Sequence, residues 1–272
     1  MKNKIVIFAV LLLSIVSINA QTEPFKKGDM MFFWGYNRAV YANSDIHFKG
    51  NNYDFTLQNV HARDRQTPFK ANIYFNINKL TVPQVNYRLS YFIADNLSIT
   101  LGMDHMKYVM VQNQTADFTG YIGNPTYSAF VVNNKVDLTS GEFLQFEHTD
   151  GLNYANIGVQ KYKHLLNHTK FDIFLGYGGG AGVMVPKSNV TLMGFERSDR
   201  YHIAGFGLDA RGSINFVLWN HLVGQIEAKG GYINLPDIKT TLNDRPDKAS
   251  QDFAFAQVNF GLGYTFRTKK KL

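Results

Sequence analysis

The feature that most constrains this chain is a two-residue alternation that returns in eight segments. In "VNFGLGYTF", near the end, Val258, Phe260, Leu262, Tyr264 and Phe266 alternate with Asn259, Gly261, Gly263 and Thr265. Successive side chains of a strand point to opposite faces, so such a run reads as a strand with one apolar and one polar side. The same pattern runs through residues 30–38, 84–93, 97–111, 154–162, 171–185, 201–218, 222–234 and 252–266. Abundant Phe and Tyr, 22 and 15 against only 7 Pro, suit a pleated surface, and the fold class is all-β.

The links between these segments alternate in length. Short ones fall at Ala94 to Asn96, Leu165 to Lys170 and Trp219 to His221; long ones span about 39–83, 112–142, 186–200 and 235–251. A soluble sandwich would also alternate along its strands, so the period alone leaves that arrangement open. Alternating loop lengths, aromatics crowded at strand ends (Trp34, Tyr36, Tyr87, Tyr91, Trp219, Tyr264, Phe266) and polar faces carrying glycines and both signs of charge favour a closed barrel in a membrane. The expectation is a single-domain antiparallel transmembrane β-barrel of eight strands with long extracellular loops, occupying residues 21–272. A row of glycines at positions 176, 178, 180 and 182 predicts large side chains reaching across a narrow interior.

The first residues, "MKNKIVIFAVLLLSIVSINA", join two lysines to a short apolar run and a small residue. That layout predicts a secretory signal peptide over residues 1–20, cleaved near Ala20, because the run is too short for a comfortable membrane span. With no cysteine, an exported chain of this kind must be stabilised by sheet closure and burial rather than by disulfides. The formal charge of +7 suits anionic surfaces such as lipopolysaccharide or phospholipid headgroups, and no basic recognition stretch suggests nucleic acid. The tail "RTKKKL" reads as a solvated basic end.

The segment formed by Asn259, Gly261, Leu262, Tyr264 and Phe266 resembles the C-terminal recognition signal of bacterial outer-membrane β-barrel proteins. That family usually ends at the terminal aromatic, whereas this chain continues through Arg267 to Leu272. The resemblance implies insertion by the outer-membrane assembly machinery, with the outer membrane of a Gram-negative bacterium as destination. The whole plan is similar to the small eight-stranded barrels, whose functions range over anchors, adhesins, a narrow hydrophobic-ligand channel and lipid-modifying enzymes. Fold alone does not choose among these.

Three groups of residues could carry chemistry. Arg88, Asp104, Asp209, Arg211, Glu227 and Lys229 fall on inward parity and nearly balance, and inside so narrow a barrel they should pair as a salt-bridged lumen network. In "FLQFEHTDGLNY" and just beyond, His148, Asp150 and Asn156 share parity, and a histidine held by a carboxylate is how a general base is oriented. The segment resembles the His-x-Ser strand of outer-membrane acyl hydrolases, but Asp150 stands where their serine nucleophile would be. In "GMDHMKY", His105 and Lys107 fall on lipid-facing parity, where a lysine can reach headgroups above the apolar band. Should the two stretches meet, Asp104, His148 and Asp150 would form one polar site at the outer mouth.

No GxSxG elbow, P-loop, dinucleotide fingerprint or familiar metal-ligand spacing is present, and neither a metal nor a cofactor is expected. The reading favours a non-enzymatic, surface-exposed structural, binding or accessory protein with a plugged interior. A lipid-modifying enzyme using His148 with Asp150, and a narrow conduit for small or hydrophobic molecules, are the alternatives. Outer-membrane lipid, lipopolysaccharide and the assembly machinery are the expected partners. The 39–83 loop, with its own alternation at Tyr53, Phe55 and Leu57, should form either a hairpin extending the barrel or a lid over its mouth.

Overall fold

The computed structural model describes residues 25–267 except 80–81, 196–197, 199 and 243–245. The expected signal peptide and the tail beyond Arg267 lie outside the described residues. In chain order the strands are β1 (Met30–Tyr41), β2 (Ser44–Gly50), β3 (Tyr53–Val60), β4 (Ala62–Arg63), β5 (Val85–Ala94), β6 (Leu97–Met110), β7 (Thr115–Ile122) and β8 (Val131–Val132). They continue with β9 (Lys135–Asp137), β10 (Leu144–Asn167), β11 (Phe171–Met184), β12 (Asn189–Leu192), β13 (Gly205–Leu218), β14 (Leu222–Lys239) and β15 (Lys248–Phe266).

Eight of these close on themselves in the order β1-β5-β6-β10-β11-β13-β14-β15, with β1 pairing β15 from Met30↔Phe266 to Tyr41↔Phe255. All eight segments expected from the alternation are the wall of this antiparallel barrel. The wall is inverted relative to a soluble one. Val258, Phe260, Leu262, Tyr264 and Phe266 of β15 face outward and exposed, while Asn259 and Thr265 between them are fully buried. So large an apolar outer surface, repeated on every wall strand, suits lipid and not water, and the fold is a transmembrane β-barrel.

The three short links are the turns 95–96, 168–170 and 219–221. Asn96, Trp219 and Asn220 adopt φ of 60°, 51° and 62°, the left-handed geometry that tight hairpins need and that asparagine tolerates. At this end, that of the short turns, Phe25 closes the barrel from below. Its ring lies 5.1 Å from Phe92, 4.6 Å from Tyr162 and 4.8 Å from Phe174, and Asn96 N–H donates to its carbonyl at 2.8 Å. Arg267, the first residue of the basic tail, pairs with Asp29 at 3.5 Å across the same rim.

At the other end the long connections are not open loops. β2, β3, β7, β9 and β8 continue the sheet outward from the upper part of β15, β12 pairs with β10, and β4 pairs with β6. Of the two forms expected for the 39–83 loop, the hairpin is present as β2–β3, joined to β15 through Lys49↔Lys248 to Ile46↔Gln251. These strands enclose an apolar core of their own, including Ile46, Phe48, Phe55, Phe143, Phe146 and Phe253, which sits over the outer mouth. Each such ring contributes roughly 1.5–3 kcal/mol of burial, enough to hold short strands that would not persist alone. Tyr36 also departs from the expected aromatic girdle: it is buried under Tyr74 of the segment 64–84, with ring centroids 4.8 Å apart.

Candidate functional site

The interior between these two apolar plugs is a single charged layer. Arg88 pairs with Glu227 at 3.0 Å and Asp104 at 3.3 Å, Arg211 pairs with Asp209 at 2.6 Å, and Lys229 pairs with Asp104. Neutral side chains complete the network: Asn259 donates to Glu227 at 2.7 Å, Gln160 to Glu227 at 3.3 Å, and Tyr154 to Asp209 at 2.9 Å. The glycine row gives this layer its room, since a Cβ on Gly180 would come within 2.7 Å of Arg211 Nη2. The six charges predicted to face inward all meet here, and every one has an oppositely charged partner.

The residues considered for catalysis do not come together. β10 carries a bulge between His148 and Leu152, where Gly151 takes φ of 132°; its two extra residues leave His148 on the inward side with Leu152 and Asn156 but swing Asp150 out of the ladder. His148, above the bulge, lies in the cap core, its ring 5.1 Å from Phe146 and 5.7 Å from Tyr108, with Nδ1 2.8 Å from Ser188 Oγ. It lies beyond the apolar band, and burial without a charged partner pulls its pKa down to about 3. Asp150 emerges on the outer surface, paired with Lys187 at 3.0 Å, while Asn156 stays in the lumen and accepts from Arg211 at 3.3 Å. Asp104 is in the lumen as well, so the joint site with His148 and Asp150 is not formed. The "DG" at positions 150–151 is a turn dipeptide, the one sequence signal that could have marked the bulge.

Asp150 instead joins His105 and Lys107 on the outside of the wall. There a lateral groove of about 770 Å³ runs over β5, β6 and β10, bounded by Val82 on one side and by Val185, Lys187 and Tyr201 on the other. Its floor rises in tiers set by strand register. Tyr87, Met103 and Ala155 are paired at the lowest, His105 and Asn153 at the next, and Lys107 stands above them. His105 Nδ1 lies 2.8 Å from Asn153 Oδ1, and Asn153 donates to the Val185 carbonyl at 3.1 Å, tying the floor to the far wall. Lys107 Nζ donates to the Val82 carbonyl at 2.7 Å and to Thr67 Oγ1 at 3.2 Å, tying it to the near wall. Sequence reading found His105 and Lys107 but missed Asn153, Lys187 and Tyr201. These reach the site only because the bulge and the Lys187↔Tyr201 bridge fold the 185–203 segment back onto β10. Among the described residues no cluster of metal-ligating side chains occurs.

With this geometry in view, comparison with solved structures finds closed barrels of the same kind. The likeness is to small bacterial outer-membrane barrels. OprG of Pseudomonas aeruginosa superposes with a TM-score of 0.45 at 12% identity, covering 91% of this chain and 100% of its own. The outer-membrane protein AlkL gives 0.41 at 11%, covering 95% and 99%. Neisserial surface protein A gives 0.35 at 10%, covering 88% and 100%. No protein-family model matches the chain, and no curated protein does. At these identities and scores, function does not transfer from the neighbours to this chain.

Proposed function

We propose that the protein is a surface-exposed binding or accessory protein of the Gram-negative outer membrane, whose barrel is an anchor rather than a channel. The observation that carries this reading is the state of the lumen. A layer of mutually paired charges lies between an aromatic plug around Phe25 and the apolar core of the cap, so an ion or apolar molecule would have to displace all three. Breaking one buried pair alone costs about 3–5 kcal/mol. The segment 259–266 supports the destination, since in β15 it forms the seam with β1 and presents its aromatics outward.

A lipid-modifying role for His148 lacks what it needs. The ring is fully buried, and its carboxylate partner stands on another surface. Purified protein reconstituted in planar bilayers should stay at baseline conductance, and discrete steps would overturn the anchor reading. Incubation with labelled lipid A or phospholipid should release no acyl chains; release abolished by His148→Ala would restore the enzyme.

A further inference from the structure

The wall groove is a large concavity whose chemistry the lumen and cap do not use. We propose that it seats the phosphorylated headgroup of an outer-leaflet glycolipid, lipid A, with Lys107 and Lys187 holding a phosphate and Tyr87 and Met103 against the first acyl carbons. The proposal rests on the outer-membrane reading above and adds a ligand to it.

Three observations carry the proposal. The first is the order of polarity along the floor, from Tyr87 and Met103 through His105 and Asn153 to Lys107, with Lys187 and Asp150 on the upper wall. An amphiphile lying along the wall has the same order, tail toward the membrane and headgroup toward the outside. A water-soluble ligand has no use for the apolar end of such a gradient.

The second is charge. Each lumen cation has a carboxylate within ion-pair distance, whereas among the described residues none lies so close to the half-buried Lys107. Its ammonium spends two donors on neutral oxygens, Thr67 Oγ1 and the Val82 carbonyl, out of three that a lysine carries. With no carboxylate in ion-pair contact, the Lys107 ammonium keeps one donor for an anion, and Lys187, paired with Asp150 at 3.0 Å, stands across the same groove. The charges lining the groove are Lys107, Lys187 and Asp150, and Asp64, Arg65 and Arg38 act on Lys107 from beside it, so four cations face two carboxylates and the balance stays positive.

The third is position. The floor belongs to the lipid-facing side of the wall, and the volume of about 770 Å³ lies within the range of sites that bury most of a small ligand. The segment that supplies Thr67 and Val82 also carries Phe69 and Phe75, 71% and 75% exposed, rings that suit the membrane interface and not open water.

The full-length protein in nanodiscs, incubated with radiolabelled lipid A, re-isolated and counted, tests this. Wild type should retain lipid A, and lipid A stripped of its phosphates should be retained about tenfold less, the scale of a lost charge-assisted hydrogen bond. Lys107→Met should show a similar loss, Lys107→Arg should restore retention, and Met103→Trp should block the groove without touching a cation. Heat-modifiable gel migration reports that each variant is folded. Equal retention of the phosphate-free lipid, undiminished retention by folded Lys107→Met, or phosphatidylglycerol held as well as lipid A would each overturn the proposal. If Lys107→Met does not fold, Met103→Trp decides: loss supports the site and unchanged retention refutes it. Conductance at baseline alongside such a refutation would leave the sealed-anchor reading standing.

Discussion

The lumen and the lateral groove are two faces of the same strands. On β6, Asp104 points into the barrel, and Met103 and His105 beside it point out. One backbone thickness separates a set of charges that satisfy one another from a cation bound only to neutral oxygens. Parity decides which side a residue joins, and the difference between the sides teaches where binding capacity resides. Charges in the closed interior pair with one another and hold the fold together, whereas the groove lysine has only neutral oxygens in contact.

The comparison breaks most visibly by deleting a charge on each side. Glu227→Ala removes a partner of Arg88 and the acceptor of Asn259 and Gln160, and should lower stability to urea by about 3–5 kcal/mol. Lys107→Met, at the partly hydrated rim, should cost under about 1 kcal/mol. Equal losses would mean that the groove lysine supports the fold as strongly as the lumen acid does.

A second cut separates the cap from the wall. Phe146→Ala in the cap core should cost roughly 3–5 kcal/mol of cap stability and open segments 44–63 and 115–138 to protease, while the barrel keeps its heat-modifiable migration. Loss of that migration would show that wall and cap fold as one unit.

Acid sharpens the same division. His148 is held neutral in the fold with a pKa near 3, against 6.5 when exposed, so the unfolded cap binds the proton more readily. Stability should therefore be intact above pH 6.5 and fall progressively as pH drops from 6.5 toward 3. Protease sensitivity of the cap should rise over that window, and His148→Phe should flatten the rise. At the short-turn rim, Arg267→Gln removes a 3.5 Å pair with the buried Asp29 and a 2.8 Å hydrogen bond to the Asn220 carbonyl, and should lower urea stability by about 1–3 kcal/mol.

The wall was legible from the sequence because a strand between lipid and a packed interior has two strict faces, and each wrong residue on either is costly. Arg88, Asp104, Asp209, Arg211, Glu227 and Lys229 could be assigned inward from parity alone. The cap was less legible. Its strands run from two to eight residues, too short for a period to stand out, and β2 and β3 bury aromatics against a core that exists only once four distant connections meet. The expected His148–Asp150 pair failed for a related reason: parity counts hold only while the ladder is regular, and Gly151 interrupts it. Lys187 and Tyr201 had no local signal, because they enter the groove by tertiary folding of the 185–203 segment.

The seam between β1 and β15 has a kinetic consequence. It joins Met30 to Phe266 and Tyr41 to Phe255, the most distant pairing in the described chain, and it is the step that turns an open sheet into a closed one. Until it forms, both strands are unpaired edges with apolar faces, the arrangement most prone to association with other chains. Non-local pairing of this kind is slow, since loop closure precedes any reward from contact. The chain therefore has a long vulnerable interval before closure, and its rate of safe arrival is governed by how quickly its two ends find each other.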